Sequence, residues 1–144
     1  MRHDGDVFLL DCGEGAQRQL MKYSVSYMRV KAIFLSHLHL DHFLGAFGHI
    51  ETMGLNNRTE KLTIYGPRGT SAIFNRKSFL ETVEIADGFS CEFMGFTATA
   101  FQNAHSRDSF GFVFEEKSKR RFYEEKAKAA GLLGPMFTQL MEKG

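Results

Sequence analysis

The chain has 144 residues, of which 43% are hydrophobic and 24% charged, the profile of one soluble domain long enough to bury a core. Its 18 Lys and Arg against 17 Asp and Glu leave a formal net charge of +1, so any nucleic-acid contact must come from local patches, not bulk charge. Two prolines and the absence of any biased tract exclude a disordered chain. No apolar run approaches the ~20 residues of a membrane span.

Residues 1–6 carry no apolar stretch of the signal-peptide kind, which predicts a cytoplasmic protein without membrane association. His3 is expected to be mobile. Asp6-Val7-Phe8-Leu9-Leu10 is an apolar run that breaks at Asp11-Cys12-Gly13-Glu14-Gly15, the signature of a buried strand closed by a tight loop. Gly13 and Gly15 are too few and wrongly spaced for a phosphate loop, so no nucleotide cofactor is expected. Cys12 and Cys91 lack a CxxC partner and read as two reduced, mostly buried thiols. Residues 16–23 read as a helix, and Ala32-Ile33-Phe34-Leu35-Ser36 as a second buried strand.

That strand delivers the chain into His37-Leu38-His39-Leu40-Asp41-His42. Phe43, Phe47, Ile50 and Gly54 then recur at helical spacing, which predicts a helix from about His42 with Phe43, Phe47 and Ile50 in the core. His49, seven residues after His42, is expected to be a satisfied helix histidine. Leu62-Thr63-Ile64-Tyr65 is a third strand closed by Gly66-Pro67-Arg68-Gly69, and residues 70–76 read as a short helix. Residues 90–101 suggest two strands around Gly95, and residues 110–115 a further one. Alternation of strands and helices followed by a strand-rich section predicts a mixed α/β sandwich. The tail holds Lys119-Arg120-Arg121, a helix over residues 123–130, and a last amphipathic turn over 136–141.

Four of the six histidines bear on one chemical problem. His37 and His39 are two apart, so in extended geometry both leave the same face of the chain. Asp41 and His42 follow at the strand-to-helix turn, and His105 lies in a distant loop that closes another strand. Imidazole suits zinc, and a carboxylate can ligate a metal or take a proton from bound water. Histidines and a carboxylate packed this densely after an apolar strand point to a metal centre.

The hexapeptide resembles the metal motif of the metallo-β-lactamase fold superfamily. The stretch from Leu9 to Leu20, the Leu35-Ser36 lead-in, Tyr65-Gly66-Pro67, and Asn103-Ala104-His105 with Phe110-Gly111-Phe112 resemble the ribonuclease Z family within it. The resemblance implies a four-layer αββα sandwich, present here as about its first half. Residues 1–116 would form the partial domain, and residues 117–144 an arm that binds tRNA. It implies a zinc-dependent endoribonuclease that removes 3′ trailers from precursor tRNA by metal-hydroxide attack on a phosphodiester. Two zinc ions are implied in the complete family site. His37, His39 and His105 would bind one, and Asp41 and His42 the second. Asp41 would also accept a proton, and Asp11 would orient the ligands from behind or simply end its strand and fix the glycine loop. In the arm, the Gly134–Pro135 segment would grip the tRNA, and Lys117, Lys119, Arg120 and Arg121 are phosphate contacts or a solvated turn. The family also implies a homodimer. Its bridging aspartate and last histidine ligand have no assignable counterpart in this sequence. Two other readings stay open: another hydrolase of the fold cleaving a small phosphodiester or ester, and a catalytically incomplete half-domain that binds metal or RNA.

Overall fold

The computed structural model describes residues 1–74, 77–105, 108–117 and Gly131. Strands β1 (Arg2–His3), β2 (Asp6–Leu10), β3 (Val30–Phe34), β4 (Leu62–Gly66) and β5 (Leu80–Glu84) form one sheet in that order. Only β1 runs antiparallel to its neighbour; the other pairings are parallel. Helices α1 (Ala16–Lys22), α2 (Leu40–Leu55) and α3 (Thr70–Phe74) connect these strands, with a 3-10 turn at Tyr27–Arg29. Strands β6 (Ser90–Phe93), β7 (Phe96–Gln102) and β8 (Phe110–Glu116) form a second, antiparallel sheet.

Two apolar interfaces organise these parts into an α–β–β stack among the described residues. Val7, Ile33, Leu35, Leu62 and Ile64 face Phe43, Ala46, Ile50 and Met53 of α2. Phe8, Ala32 and Phe34, on the other face of the same sheet, meet Phe96 and Ala98 of β7. Strand periodicity explains why neighbours such as Ile33 and Phe34 serve different layers. A bulge breaks this alternation: Val7 pairs with Val30 but Phe8 with Ala32, leaving Lys31 over. Phe34 is the aromatic hub between the sheets, stacked on Tyr65 at 5.0 Å and edge-on to Phe93, Phe112 and Phe114.

Several expectations shift in detail. α2 starts at Leu40, two residues before the expected start at His42, with Asp41 placed favourably in its first turn. Phe43 and Ile50 are buried, whereas Phe47 is 40% exposed and stacks on Phe74, because its position falls on the flank of the helix. His49 is fully buried, and among the described residues neither ring nitrogen has a hydrogen-bond partner, so it is not the satisfied histidine expected. His3 is held in β1 against Phe96, ring centroids 5.5 Å apart, and is not a free N-terminal side chain. Both cysteines are free thiols, Cys12 buried and Cys91 half-buried. The tail expectations, including Lys119, Arg120, Arg121, Gly134 and Pro135, lie outside the described residues.

Candidate metal centre

Asp11 and the histidine loop lie at the C-terminal ends of β2 and β3, where ligands of parallel α/β sheets commonly bind. β3 ends at Phe34. Leu35 N still donates to Tyr65 O, but Ser36 turns its backbone N–H to Asp11 Oδ1 at 2.8 Å instead of to a strand. Residues 35–39 thus lie beyond the end of β3, in a loop whose last residue, His39, is extended at φ −77° and ψ 140°. Asp11 itself adopts a left-handed φ of 56°, which an aspartate tolerates better than most residues. That twist aims its carboxylate under the histidine loop.

Close backbone packing holds the two loops together. Cys12 N donates to His42 O at 2.7 Å. A Cβ on Gly45 would overlap Gly13 O, and one on Gly13 would overlap Asp41 O. Glycine at both positions lets the 11–15 loop lie directly on the first turns of α2. Burial, with Asp11 alongside, pushes the Cys12 thiol up to about 11, so it is an inert packing group.

Above this floor the imidazoles crowd together. The ring centroid of His37 lies 4.5 Å from that of His39, 3.9 Å from His42 and 5.2 Å from His105. One nitrogen from each of His37, His39 and His105 falls within 4.8 Å of the others. His37 Nε2 and His39 Nδ1 are 3.1 Å apart, close to the ~3.3 Å that two nitrogens subtend at a tetrahedral zinc with bonds of about 2.05 Å. Burial first, and the neighbouring His42 and His39 rings next, push the pKa of His37 down from the usual histidine value. The neutral ring is the form that ligates a metal. The donor set therefore fits a zinc-type ion.

His42 and Asp41 stand beside this triad. His42 Nδ1 meets Asp11 Oδ2 at 2.8 Å, which leaves its Nε2 towards Asp41 Oδ2, 3.6 Å away. Asp41 is 80% exposed, so its carboxylate opens to solvent. The cleft that holds Asp41, His42 and the triad is also walled by Ser36, Asn103 and Ser109.

Three contributors went unrecognised in the sequence. Ser36 Oγ donates to Asp11 Oδ2 at 2.9 Å and lies 2.9 Å from His37 Nδ1. Its carbonyl accepts from Phe110 N at 2.8 Å, tying the start of β8 to the histidine loop. Asn103 N donates to Ser109 O, and Asn103 Oδ1 accepts from His105 N at 3.0 Å. These bonds hold His105, which comes from the second sheet, over a site otherwise built on the first. Position next to a candidate ligand was the available signal for Ser36 and Asn103; nothing in the sequence marked Ser109. Lys117, one of the candidate phosphate contacts, pairs with Glu92 at 2.7 Å.

The family described as "Beta-lactamase superfamily domain" matches residues 7–124. Ribonuclease Z of Methanosarcina acetivorans is 37% identical over 153 aligned positions, covering 99% of this chain and 50% of that protein. Ribonuclease Z of Methanothermobacter thermautotrophicus is 39% identical, covering 97% of this chain and 49% of that protein. The chain thus spans about half the length of the curated relatives it matches. The crystal structure of the short form of human tRNase Z superposes with a TM-score of 0.65 at 31% identity, covering 81% of this chain and 56% of that one. The metallo-β-lactamase fold protein YhfI of Bacillus subtilis, with a TM-score of 0.68 at 21% identity, shares the fold. With its α–β–β stack and its histidine-lined cleft, the chain belongs to the β-lactamase superfamily, in the metallo-β-lactamase fold, and along nearly its whole length it is similar to half of ribonuclease Z.

Proposed function

We infer that the protein is a zinc-dependent endoribonuclease acting on the 3′ trailers of precursor tRNA. The observation that carries this reading is the convergence of His37, His39 and His105 nitrogens within 4.8 Å, in a chain 37% identical to a ribonuclease Z. His37, His39 and His105 would hold one ion, and His42 with Asp41 a second. Zinc at such a site supplies Lewis acidity, lowering the pKa of water towards ~7 and neutralising charge that develops on phosphate oxygens. Asp41, on the open rim of the cleft, would hold or accept the proton of the attacking water. Asp11 would act from behind, by orienting His42 and Ser36. The same reading assigns residues 1–116 to the catalytic half and 117–144 to an arm. Lys119, Arg120, Arg121 and the Gly134–Pro135 segment would hold the tRNA body there. A homodimer and a cytoplasmic setting belong to it as well; no helix among the described residues is long and apolar enough to cross a membrane.

The test is incubation of the purified chain with a 3′-extended precursor tRNA and zinc, beside an Asp41→Ala preparation that controls for contaminating nuclease. Cleavage next to the discriminator base by the wild type alone supports the reading. Identical behaviour of the two preparations overturns it. Removal of zinc by a chelator should abolish cleavage, and added zinc should restore it.

A further inference from the structure

The Ser36 hydroxyl has one hydrogen and two close groups that compete for it, with His42 Nδ1 farther off at 3.4 Å. Asp11 Oδ2 lies 2.9 Å away on one side and His37 Nδ1 2.9 Å away on the other. A carboxylate only accepts, so the hydroxyl hydrogen goes to Asp11. The lone pair left on Oγ then faces His37 Nδ1, and that contact is favourable only when Nδ1 carries the ring's proton. His42 Nδ1 also reaches Asp11 Oδ2, at 2.8 Å. Asp11 thus accepts from the Ser36 amide, the Ser36 hydroxyl and His42.

The alternative tautomer of His37 has an evident partner. With its proton on Nε2, His37 would donate to His39 Nδ1, 3.1 Å away. That single hydrogen bond would occupy the two nitrogens that face each other across the candidate metal position. We propose that Ser36 is a positioning residue: its hydroxyl, anchored on Asp11, holds His37 in the Nδ1–H tautomer and so keeps the His37–His39 nitrogen pair open to a metal ion. Ser36 does so without touching the ion. The inference rests on the metal-centre reading for its consequence, but the tautomer is a property of the metal-free protein. Groups that orient ligands from behind typically change metal affinity by 10- to 100-fold.

The test compares wild type, Ser36→Ala and Ser36→Thr. Long-range 1H–15N NMR of the metal-free proteins reads the tautomer of His37, and competition with a chromophoric chelator reads zinc affinity. The expected result is a single Nδ1–H form in the wild type. In Ser36→Ala an Nε2–H population should appear, and zinc affinity should fall about tenfold. Ser36→Thr, which keeps the hydroxyl, should restore both, whereas a loss through general loosening would not be rescued in this way. An unchanged tautomer in Ser36→Ala, or zinc affinity within twofold of wild type, overturns the inference. Failure of the wild type to bind zinc at all overturns the metal-centre reading instead, while the tautomer comparison still decides the role of Ser36.

Discussion

His49 is the residue whose environment departs furthest from its chemistry. It sits fully buried on the core face of α2, edge-on to Tyr27, with neither ring nitrogen paired among the described residues. Burial, with the Arg58 charge adding to it, pushes its pKa down to about 4. In the unfolded chain the ring takes up a proton near its ordinary pKa of about 6.5. The unfolded state therefore binds more protons between those two values, so stability falls as pH falls through that window and the loss is complete below about 4. Going from pH 7 to 4.5 should cost the wild type about 2 kcal/mol more than His49→Leu, measured by urea unfolding at both values. At pH 7 the leucine variant should be no less stable, since it removes two unsatisfied polar atoms. Asp41→Ala should change stability by less than about 1 kcal/mol, because the side chain is 80% exposed and contributes only a charge in the first turn of α2.

At the scale of elements, two close contacts hold the platform under the site. Gly45→Ala would force the 11–15 loop off α2, because the added methyl meets the backbone of Gly13 and Cys12. The expected loss is about 2 kcal/mol or more in urea unfolding, since backbone atoms cannot swing aside as a flexible side chain can. At the opposite end of the sheet, buried Arg58 donates to four carbonyls: Met28, Val30, Glu60 and Lys61. It thereby joins the 3-10 turn and β3 to the start of β4. Arg58→Lys keeps the charge but loses the planar fork, and should cost about 2 kcal/mol by the same measurement. Within the first sheet, the strands that were legible in the sequence are the central ones, and in the second sheet all three were legible. β2, β3 and β4 read as apolar runs closed by polar or glycine loops. β5, Leu-Glu-Thr-Val-Glu, was missed because it is the edge strand and buries no residue fully. β1 has two residues and exists only through its pairing with β2, which no local pattern announces. The glycine contact of α2 was hidden for a related reason: spacing shows that Gly45 lies on the helix, not what approaches it.

At the scale of the molecule, the site exists because two sheets meet. The first supplies Asp11 and the histidine loop, and the second lowers His105 over them through the Ser36–Phe110 and Asn103–His105 hydrogen bonds. The density of histidines in His37–His42 was readable from the sequence, since so many ligand-type side chains on six residues have few structural uses. That His105 joins His37 and His39 was implied by resemblance, not by spacing, because the join depends on sheet-to-sheet packing. The work of Ser36 was not legible, because its place before His37 marks it as a neighbour of the site but does not give its hydrogen-bond partners. The most direct measurement is a cobalt(II) titration of the full chain followed by visible absorption, with His37→Ala, His39→Ala and His105→Ala alongside. The account predicts one saturable ligand-field band in the wild type and its loss or marked weakening in each variant, including His105→Ala from the second sheet. No band in the wild type, or the same band in all three variants, would contradict it.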